Sequence, residues 1–305
     1  MMGILNHLST LLLLSLLPPA LSHVVENFTD VPDCENFFLE GTTPNLPGIL
    51  VDGTVKNEGR YKPICQLFNT IYRFATLYDT FNRIPVFSAY TFTGYITGRP
   101  DDPWMIEPQL EEEKEGEKNS PEMQKIGGVQ YKNQAGNNDY GKLKRKNDND
   151  VNRGHLFPNS HARDLETQKS TFTLTNIVPQ DITFNGGSWN DMEGNVRGKL
   201  MKDCINNNGK IEAYVVTGAV PSKSNKLNNR VNIPQLLWTA YCCYNKKMNK
   251  KKKWMAGAHW GWNKKVKRKT LDQQTLGELE KELNKHHQGK DGPVKVFPKK
   301  CPRDP

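Results

Sequence analysis

The sequence predicts an α+β fold with a mixed, mainly antiparallel sheet at its core. Segments rich in β-branched and aromatic residues indicate strands at residues 85–92, 211–220, 235–244 and 254–262. Helical periodicity occurs in two other segments, residues 185–203 and 271–287. The helices and strands do not alternate regularly, as they would in a βαβ fold, so an α+β architecture is expected.

Each predicted helix has one apolar face. In residues 185–203 the large apolar residues recur at helical spacing: Trp189, Met192, Val196 and Leu200. In residues 271–287 the apolar side is formed by Leu276, Leu279 and Leu283. Both helices are expected to bury these faces, and Trp189 and Met192 are interpreted as core residues rather than substrate contacts.

Three other segments are less regular. Residues 69–82 fit a strand or a helix, and a strand over part of them is favoured. Residues 170–182 are expected to begin as a strand that ends at Pro179. Residues 99–150 are predicted to form a long polar surface loop with few regular elements, in which Trp104 is a buried anchor.

Residues 1–22 are expected to be a secretory signal. They contain a short apolar run, Leu11–Leu17, followed by two prolines and by the small residues Ala20 and Ser22. A membrane span needs about 20 apolar residues, so cleavage is favoured over insertion. The mature chain, residues 23–305, is therefore expected to be secreted, to have no stable membrane insertion and to be glycosylated at Asn27, the first residue of an Asn-x-Thr sequon.

The six cysteines are an even set, which in a secreted chain indicates disulfides. A Cys34–Cys65 bridge is favoured because it would close a local N-terminal loop. The adjacent Cys242 and Cys243 cannot readily pair with each other without backbone strain, so they are expected to take different partners. The remaining candidates are Cys204 and Cys301, in either assignment. A zinc site is disfavoured because the chain has no Cys-x-x-Cys pair.

The chain is basic, with a formal net charge of +9. An excess of lysine and arginine favours polyanionic partners such as nucleic acid, although a solubilising surface would look the same. The lysine-rich segment at residues 246–269 has the same two interpretations. It is either a solvated hairpin tip or a nonspecific polyanion contact that makes binding sensitive to salt.

One stretch near the middle of the chain holds side chains suited to phosphodiester hydrolysis. This reaction needs a base for the attacking water and stabilisation of charge on the phosphorus and leaving oxygens. His155 is the candidate general base, and Arg153 and Arg197 are candidate phosphate ligands. Asn185 offers an oxygen ligand to Mg²⁺, and Glu193 could order metal-bound water or a neighbouring cation.

The spacing of these residues fits a single site. Asn185, Trp189 and Glu193 are four residues apart, so they share one helix face. Arg197 follows Glu193 by four residues, which predicts a Glu-to-Arg ion pair in the favourable orientation. Gly154, next to His155, permits a close approach of the backbone to a substrate.

Three motifs in this stretch resemble the DNA/RNA non-specific endonuclease family and, within it, a group of secreted vertebrate proteins. The family pattern is Asp-Arg-Gly-His, then Ser/Thr-Asn-Ile-x-Pro-Gln, then a helix that opens Asn-x-Gly-x-Trp. Here the motifs are NRGH (Asn152 to His155), TNIVPQ (Thr175 to Gln180) and NGGSWNDMEGNVR (Asn185 to Arg197). The likeness extends from about Cys34 to the last strands, and the ordered set of motifs is highly specific.

The resemblance implies a ββα-metal (His-Me finger) centre in a single endonuclease-like domain over residues 23–305. It implies an enzyme that hydrolyses DNA, with RNA as a second substrate, using Mg²⁺ or alternatively Mn²⁺. By motif position His155 is the general base, Asn185 the direct metal ligand, Asn176 and Glu193 supporting residues, and Arg197 the residue that stabilises the transition state. Arg99, in the segment GRPDDPW, is similar to an upstream phosphate-binding arginine of the family.

The chain departs from the family pattern at Asn152, where the family has aspartate. Asparagine keeps an acceptor oxygen but loses the negative charge, so the change bears on catalytic strength more than on fold. An active nuclease is favoured because the other motif residues are retained. The alternative is a secreted polyanion-binding protein on the same scaffold, and a zinc hydrolase is disfavoured because no ligand set is present.

Overall fold

The structure is a computed structural model. It describes residues 23–101, 104–111, 119–140, 151–248, 253–265, 271–287 and 289–304. The predicted signal at residues 1–22 lies outside the described residues, so its cleavage and the secretion of the chain remain predictions.

Strands form the framework of the described residues. In chain order they are β1 Leu50–Val51, β2 Thr54–Val55, β3 Tyr61–Phe68, β4 Ile71–Asp79, β5 Ile84–Phe92, β6 Met105–Ile106, β7 Gln124–Lys125, β8 Val151–His155, β9 Ile177–Asp181, β10 Ala213–Val220, β11 Lys226–Leu227, β12 Val231–Asn232, β13 Leu236–Tyr244 and β14 Trp254–Trp262. Six of them form one antiparallel sheet in the order β14-β13-β10-β5-β4-β3. This sheet confirms the predicted, mainly antiparallel α+β class.

The helices flank this sheet. The α-helices are α1 Pro32–Glu35, α2 Leu165–Ser170, α3 Asn190–Asp203 and α4 Leu276–Leu283. A π-helical turn, Phe184–Trp189, leads directly into α3. Short 3₁₀ turns occur at Phe28–Asp30, Leu39–Gly41, Pro108–Leu110, Asn137–Asp139, Asn159–His161 and Leu174–Asn176. Most of the regular structure outside the sheet is therefore short, and α3 is the longest helix described.

The four strands predicted from composition correspond to β5, β10, β13 and β14, with ends that agree within two residues. The segment 69–82 contains β4, so the preference for a strand there is confirmed. Both predicted helices are present, and their apolar faces are buried. The first is an α-helix only from Asn190, because residues 184–189 form a π-helical turn with non-helical angles at Gly187, so the prediction that Asn185 shares one regular helix face with Trp189 and Glu193 is wrong. The second begins later than predicted because Thr275 caps it: the Thr275 hydroxyl accepts from the Glu278 N–H, and the Glu278 carboxylate accepts from the Thr275 N–H.

The prediction for residues 170–182 is wrong. A helix, α2, occupies Leu165–Ser170, and the strand begins only at Ile177 and continues through Pro179. Proline is tolerated there because β9, among the strands that the structure describes, pairs with β8 alone. The Pro179 carbonyl accepts from the Asn263 side chain.

The long polar segment at residues 99–150 contains only short elements in its described parts. The pair β6–β7 and two 3₁₀ turns are its regular structure there. Residues 102–103, 112–118 and 141–150 lie outside the described residues. Trp104 is partly rather than fully buried, and its ring contacts site residues instead of serving only as an anchor.

The six-stranded sheet separates two apolar cores. The first, here called the α4 core, contains Leu236 and Trp238 of β13 together with Leu279 of α4. The second, here called the α3 core, contains Leu237 of β13 together with Trp189. Successive strand residues point to opposite faces, so β13 contributes to both cores in alternation.

Three disulfides connect the sheet to its flanking segments. Cys34 pairs with Cys65, Cys204 with Cys243, and Cys242 with Cys301. The first bridge and the different partners of the adjacent cysteines are confirmed. Cys243 faces the α3 core and reaches the end of α3, whereas Cys242 faces the α4 core and reaches the C-terminal segment.

Candidate active site

The site is built on two strands and a helix. Strand β8 pairs antiparallel with β9, which places Asn152 opposite Gln180 and His155 opposite Ile177. The chain then enters the π-helical turn and α3. This is the strand–strand–helix order that the family resemblance implies, and it carries the three sequence motifs on adjacent elements.

His155 lies at the end of β8 between two aromatic rings. Its ring centroid is 5.5 Å from that of Trp104 and 5.1 Å from that of Phe172. The side chain is buried, and its Nε2 atom has no hydrogen-bond partner among the described residues. Burial lowers the pKa of the imidazole to about 3, and the positive charge of Arg99 acts in the same direction. The ring is therefore neutral at neutral pH, which is the form that accepts a proton.

Two arginines lie against the rings that enclose His155. The Arg153 guanidinium lies 4.8 Å over the Trp104 ring, and its Nη2 donates to Asn137 Oδ1 at 2.9 Å. Burial lowers the pKa of Arg153. Arg99 is exposed and lies 4.8 Å over the Phe172 ring. Two of the three predicted phosphate-binding arginines, Arg153 and Arg99, therefore lie beside the predicted base.

Asn185 and Asn152 contact each other directly. The Asn185 amide nitrogen donates to Asn152 Oδ1 at 2.7 Å. This bond directs the amide nitrogen of Asn185 toward Asn152, and the carbonyl oxygen is then the atom available to a cation. Asparagine at position 152 thus still supplies the acceptor that an aspartate would supply.

Gly154 is required by a close approach to Gln180. A Cβ atom added at Gly154 would lie 2.0 Å from Gln180 Oε1 and 2.7 Å from Gln180 Cβ. Both polar atoms of the Gln180 amide are buried without a hydrogen-bond partner among the described residues. The sequence motif contains Gln180, but no role was predicted for it. An unpaired buried amide costs about 1–3 kcal/mol, so Gln180 is a candidate functional residue.

Asn176 holds the chain immediately after His155. Its Oδ1 accepts from the Phe157 N–H and from the Ser88 hydroxyl, both at 2.9 Å. Its Nδ2 donates to the Phe157 and Thr171 carbonyls, both at 3.0 Å. The amide is fully buried and uses both ends on protein partners, so Asn176 positions the backbone near the predicted base.

Glu193 is the acidic residue of the α3 part of the site. Desolvation raises the pKa of its carboxyl to about 8, while the nearby charge of Arg197 opposes this shift. The Glu193 carbonyl is 3.0 Å from Nε2 of the buried His161, whose Nδ1 is 2.8 Å from the Tyr90 hydroxyl. His161 therefore fixes α3 against the segment that follows His155.

The predicted Glu193–Arg197 ion pair is not among the ion pairs formed by the described residues. Arg197 instead lies 4.4 Å over the ring of Tyr95, and its Nη1 donates to the Ser160 carbonyl at 3.3 Å. A tertiary contact with a distant loop therefore replaces the local helical pair. Tyr95 was not singled out from the sequence.

The predicted site residues form three local groups. His155, Arg153 and Arg99 lie around Trp104 and Phe172. Asn185 is bonded to Asn152, and Glu193 and Arg197 lie on α3. The hydrogen bonds, ring contacts and ion pairs of the described residues do not join His155 directly to Asn185 or Arg197. The shared β8–β9–α3 unit is what connects the three groups.

The donor set fits a hard divalent cation. Asn185 offers an amide oxygen, the ligand type that Mg²⁺ prefers, and the helix that follows carries the carboxyl of Glu193. Within the described ranges there is no cluster of three or more His, Cys, Asp or Glu residues arranged to hold a metal. A site with a single side-chain ligand and a water shell is compatible with this arrangement.

Two other predictions concern the surface. Asn27 is partly exposed next to the 3₁₀ turn Phe28–Asp30, and its glycosylation remains a prediction. The lysine-rich segment lies on the β13–β14 hairpin and on the chain after β14. Residues 249–252 and 266–270 of that segment lie outside the described residues. No helix within the described ranges is both long and apolar enough to span a bilayer.

Buried histidines give the fold a defined pH dependence. Burial lowers the pKa of His155 to about 3 and of His161 to about 4, below the value of about 6.5 expected in the unfolded chain. Between these values the unfolded state binds more protons, so the free energy of unfolding falls as the pH falls. The pKa of Glu193 is raised to about 8 in the folded protein, so between about pH 8 and pH 4.5 the folded state binds more protons at this group than the unfolded state. Glu193 therefore raises the free energy of unfolding as the pH falls and offsets part of the loss caused by the histidines.

We expect urea unfolding to show a net loss of stability from about pH 6.5 to pH 4, at up to about 1.4 kcal/mol per pH unit for each histidine. The variant His161→Gln removes one of the two histidines that take up a proton on unfolding. Its free energy of unfolding should therefore depend less steeply on pH over the same range. A wild-type stability that is constant across this window would contradict the assigned burial of the two rings.

Comparisons with known proteins agree with the resemblance of the three motifs. Residues 54–288 match the model of the DNA/RNA non-specific endonuclease family. The human Endonuclease domain-containing 1 protein is 34% identical over 214 residues, which is 69% of this chain and 39% of that protein. The mouse protein of the same name is 33% identical over 217 residues, 69% of this chain and 38% of that protein. This chain therefore matches less than half the length of these relatives.

A chain in a solved structure, the EndoG/EndoGI complex, is similar to this chain with a TM-score of 0.47 and 20% sequence identity. The match covers 72% of this chain and 84% of that chain. The expected likeness to a group of vertebrate proteins is confirmed by the human and mouse relatives. Since the family match extends from β2 through α4 and includes all three motifs, the chain belongs to the DNA/RNA non-specific endonuclease family.

Proposed function

We propose that the protein is a metal-dependent endonuclease that hydrolyses phosphodiester bonds in DNA, and also in RNA, with little sequence preference. The observation that carries this proposal is His155, a neutral, buried imidazole with an unpaired Nε2 atom on the β8–β9–α3 unit. A neutral imidazole nitrogen without a protein partner has a free lone pair that can accept a proton from an attacking water.

The arginines bind and orient the phosphate. Arg153 and Arg99 lie on the two rings that flank His155, so a phosphate held by either is close to the base. Arg197 presents a guanidinium from α3, and its bidentate geometry matches the oxygens of a phosphate that gains charge in the transition state. Recognition through phosphate alone explains low sequence preference, because phosphate contacts carry no base information.

Asn185 is the residue that would hold Mg²⁺, or alternatively Mn²⁺. A divalent cation bound there supplies positive charge to the phosphate and the leaving oxygen. Asn152 orients the Asn185 amide, and Asn176 fixes the backbone that follows His155. Glu193, on α3, would order metal-bound water or a neighbouring cation.

The compartment is part of the proposal. An apolar leader at residues 1–22, an Asn-x-Thr sequon at Asn27 and three disulfides support secretion of a glycosylated mature chain. The net charge of +9 favours the capture of nucleic acid outside the cell through contacts that weaken with salt.

The proposal is tested by digestion of supercoiled plasmid and of a structured RNA with protein purified from a secreting host. We expect nicked and then linear plasmid in the presence of Mg²⁺ and no digestion in EDTA. The His155→Ala protein, prepared in parallel, measures contaminating nuclease. Wild-type digestion no faster than that background would leave the binding-protein alternative as the better account.

Position 152 is where the chain departs from the family pattern, so a substitution there tests whether the asparagine lowers the nuclease activity. We expect Asn152→Asp to raise the initial rate of plasmid nicking by up to about tenfold, because a carboxylate accepts the Asn185 hydrogen bond more strongly and adds charge near the cation. Asn208→Asp adds the same charge at an exposed turn and should leave the rate unchanged. An unchanged rate for Asn152→Asp would show that the asparagine is already an adequate acceptor.

A further inference from the structure

The loop after β5, residues 93–101, is built to hold two side chains at the site. Its glycines adopt positive φ angles, +129° at Gly94 and +95° at Gly98, which other residues rarely adopt. The Ile96 N–H donates to the Ala162 carbonyl at 3.0 Å, and the Gln168 side chain donates to the Gly98 carbonyl at 2.8 Å. The loop is therefore fixed to the segment that follows His155.

Two side chains of this loop reach different groups of the site. Arg99 lies over Phe172, beside His155, and Tyr95 lies under the guanidinium of Arg197 on α3. The loop thus links the part of the site that contains the base with the part that contains the transition-state arginine. Tyr95 is the aromatic residue of the loop, and no catalytic or binding role has been assigned to it so far.

The Tyr95 side chain is partly open to solvent. It is 38% exposed although one cation already lies 4.4 Å over it. The N–H groups of an arginine lie in the plane of its guanidinium. When the face of the guanidinium contacts a ring, these N–H groups remain able to donate to phosphate oxygens. A phosphate bound by Arg197 therefore brings the sugar and base of the adjoining nucleotide close to the exposed part of Tyr95.

We propose that Tyr95 forms a nucleoside-binding subsite beside the phosphate held by Arg197, in which its ring stacks on the base of the adjoining nucleotide. The inference deepens the proposed nuclease function and rests on it for the identity of the ligand. Stacking on an aromatic ring tolerates any base, since every base has a π face, so the subsite is compatible with low sequence preference.

The subsite has a consequence for the class of substrate. In a duplex both faces of a base are covered by its neighbours, and exposing one face requires unstacking. A single strand offers its bases at lower cost. Tyr95 therefore favours single-stranded or locally unpaired DNA and RNA over intact duplex.

The test measures binding without cleavage. Fluorescence anisotropy in EDTA gives the affinity for a labelled single-stranded DNA of mixed sequence and for a hairpin duplex of equal charge. Tyr95→Leu keeps an apolar side chain and removes the ring, whereas Tyr95→Phe keeps the ring. The matched control is Phe81→Leu, an exposed aromatic residue that also lies beneath an arginine, Arg60, at the opposite end of β5.

We expect Tyr95→Leu to weaken single-strand binding about tenfold, with less than about a twofold change for the duplex. Tyr95→Phe and Phe81→Leu should bind the single strand like the wild type. The inference is overturned if the wild type does not bind the single strand, if Tyr95→Leu binds it normally, if Tyr95→Phe loses as much as Tyr95→Leu, or if both substrates weaken equally. Failure of the wild type to cleave plasmid would instead count against the nuclease proposal alone.

Discussion

His155→Ala is expected to lower the rate of plasmid cleavage on the order of 10³-fold while the protein remains folded. The buried imidazole is the candidate proton acceptor for the attacking water, and removal of a positioned general base costs about 10²–10⁴-fold in rate. Initial rates of nicking at saturating Mg²⁺ provide the measurement. The residual rate measures what the arginines and the metal ligand contribute without the base.

Two controls separate a lost base from a lost fold. The first is His286→Ala, which removes a histidine three residues beyond the end of α4, a helix that packs on the other face of the sheet, and should cleave like the wild type. The second is rescue with free imidazole, which fits the space vacated between Trp104 and Phe172 and should restore part of the activity. Cleavage by His155→Ala within about twofold of the wild-type rate would remove His155 from the mechanism.

Asn185→Ala is the second large expected effect. Loss of the only assigned side-chain metal ligand should raise the Mg²⁺ concentration needed for half-maximal cleavage and lower kcat/KM by about 10²-fold or more. Mn²⁺ binding followed by electron paramagnetic resonance, without any substrate, provides a readout that is independent of catalysis. Both measurements should change together if Asn185 holds the cation.

Asn185→Asp is the matched variant, because it keeps an oxygen at the same position and adds negative charge. We expect it to bind Mn²⁺ at least as tightly as the wild type and to retain more activity than Asn185→Ala. Equal Mn²⁺ binding by the wild type and Asn185→Ala would place the cation elsewhere. Glu193 on α3 is then the next candidate oxygen donor, and Glu193→Gln is the next variant to measure.

The periodic parts of the chain were predictable because their signals are local. The spacing of Trp189, Met192, Val196 and Leu200 defines one face of a helix, and α3 buries that face in the α3 core. Composition was sufficient for β5, β10, β13 and β14 because each is long and rich in β-branched or aromatic residues. The three motifs also fall on β8, β9 and the start of α3 in the order that the family resemblance implies.

The contacts that decide side-chain orientation were not predictable, since they join residues far apart in the sequence. The spacing of Glu193 and Arg197 favours an ion pair, but the distant Tyr95 ring and the Ser160 carbonyl take the guanidinium instead. The rings of Trp104 and Phe172 enclose His155 from two separate segments.

The strand prediction for residues 170–182 was wrong for a different reason. Its β-branched residues suggested a strand, but Thr171, Thr173 and Thr175 are buried polar residues in turns between α2 and β9. The Thr173 and Thr175 hydroxyls both donate to the buried carboxylate of Glu107. A propensity for strands was overridden by tertiary hydrogen bonds that no local pattern reveals.

Cys242 and Cys243 point to opposite faces of β13, and this alternation determines which disulfides they can form during oxidative folding. Exchanging the partners of Cys242 and Cys243 would require the strand to turn over, which would move Trp238 and Leu237 to the wrong faces of the sheet. The native pairs therefore form readily only after β13 has joined its neighbours in register. A chain oxidised before that point is expected to form non-native disulfide isomers. Expression in a secretory host that contains a disulfide isomerase should therefore give a higher yield of native protein than oxidation of the reduced chain in vitro.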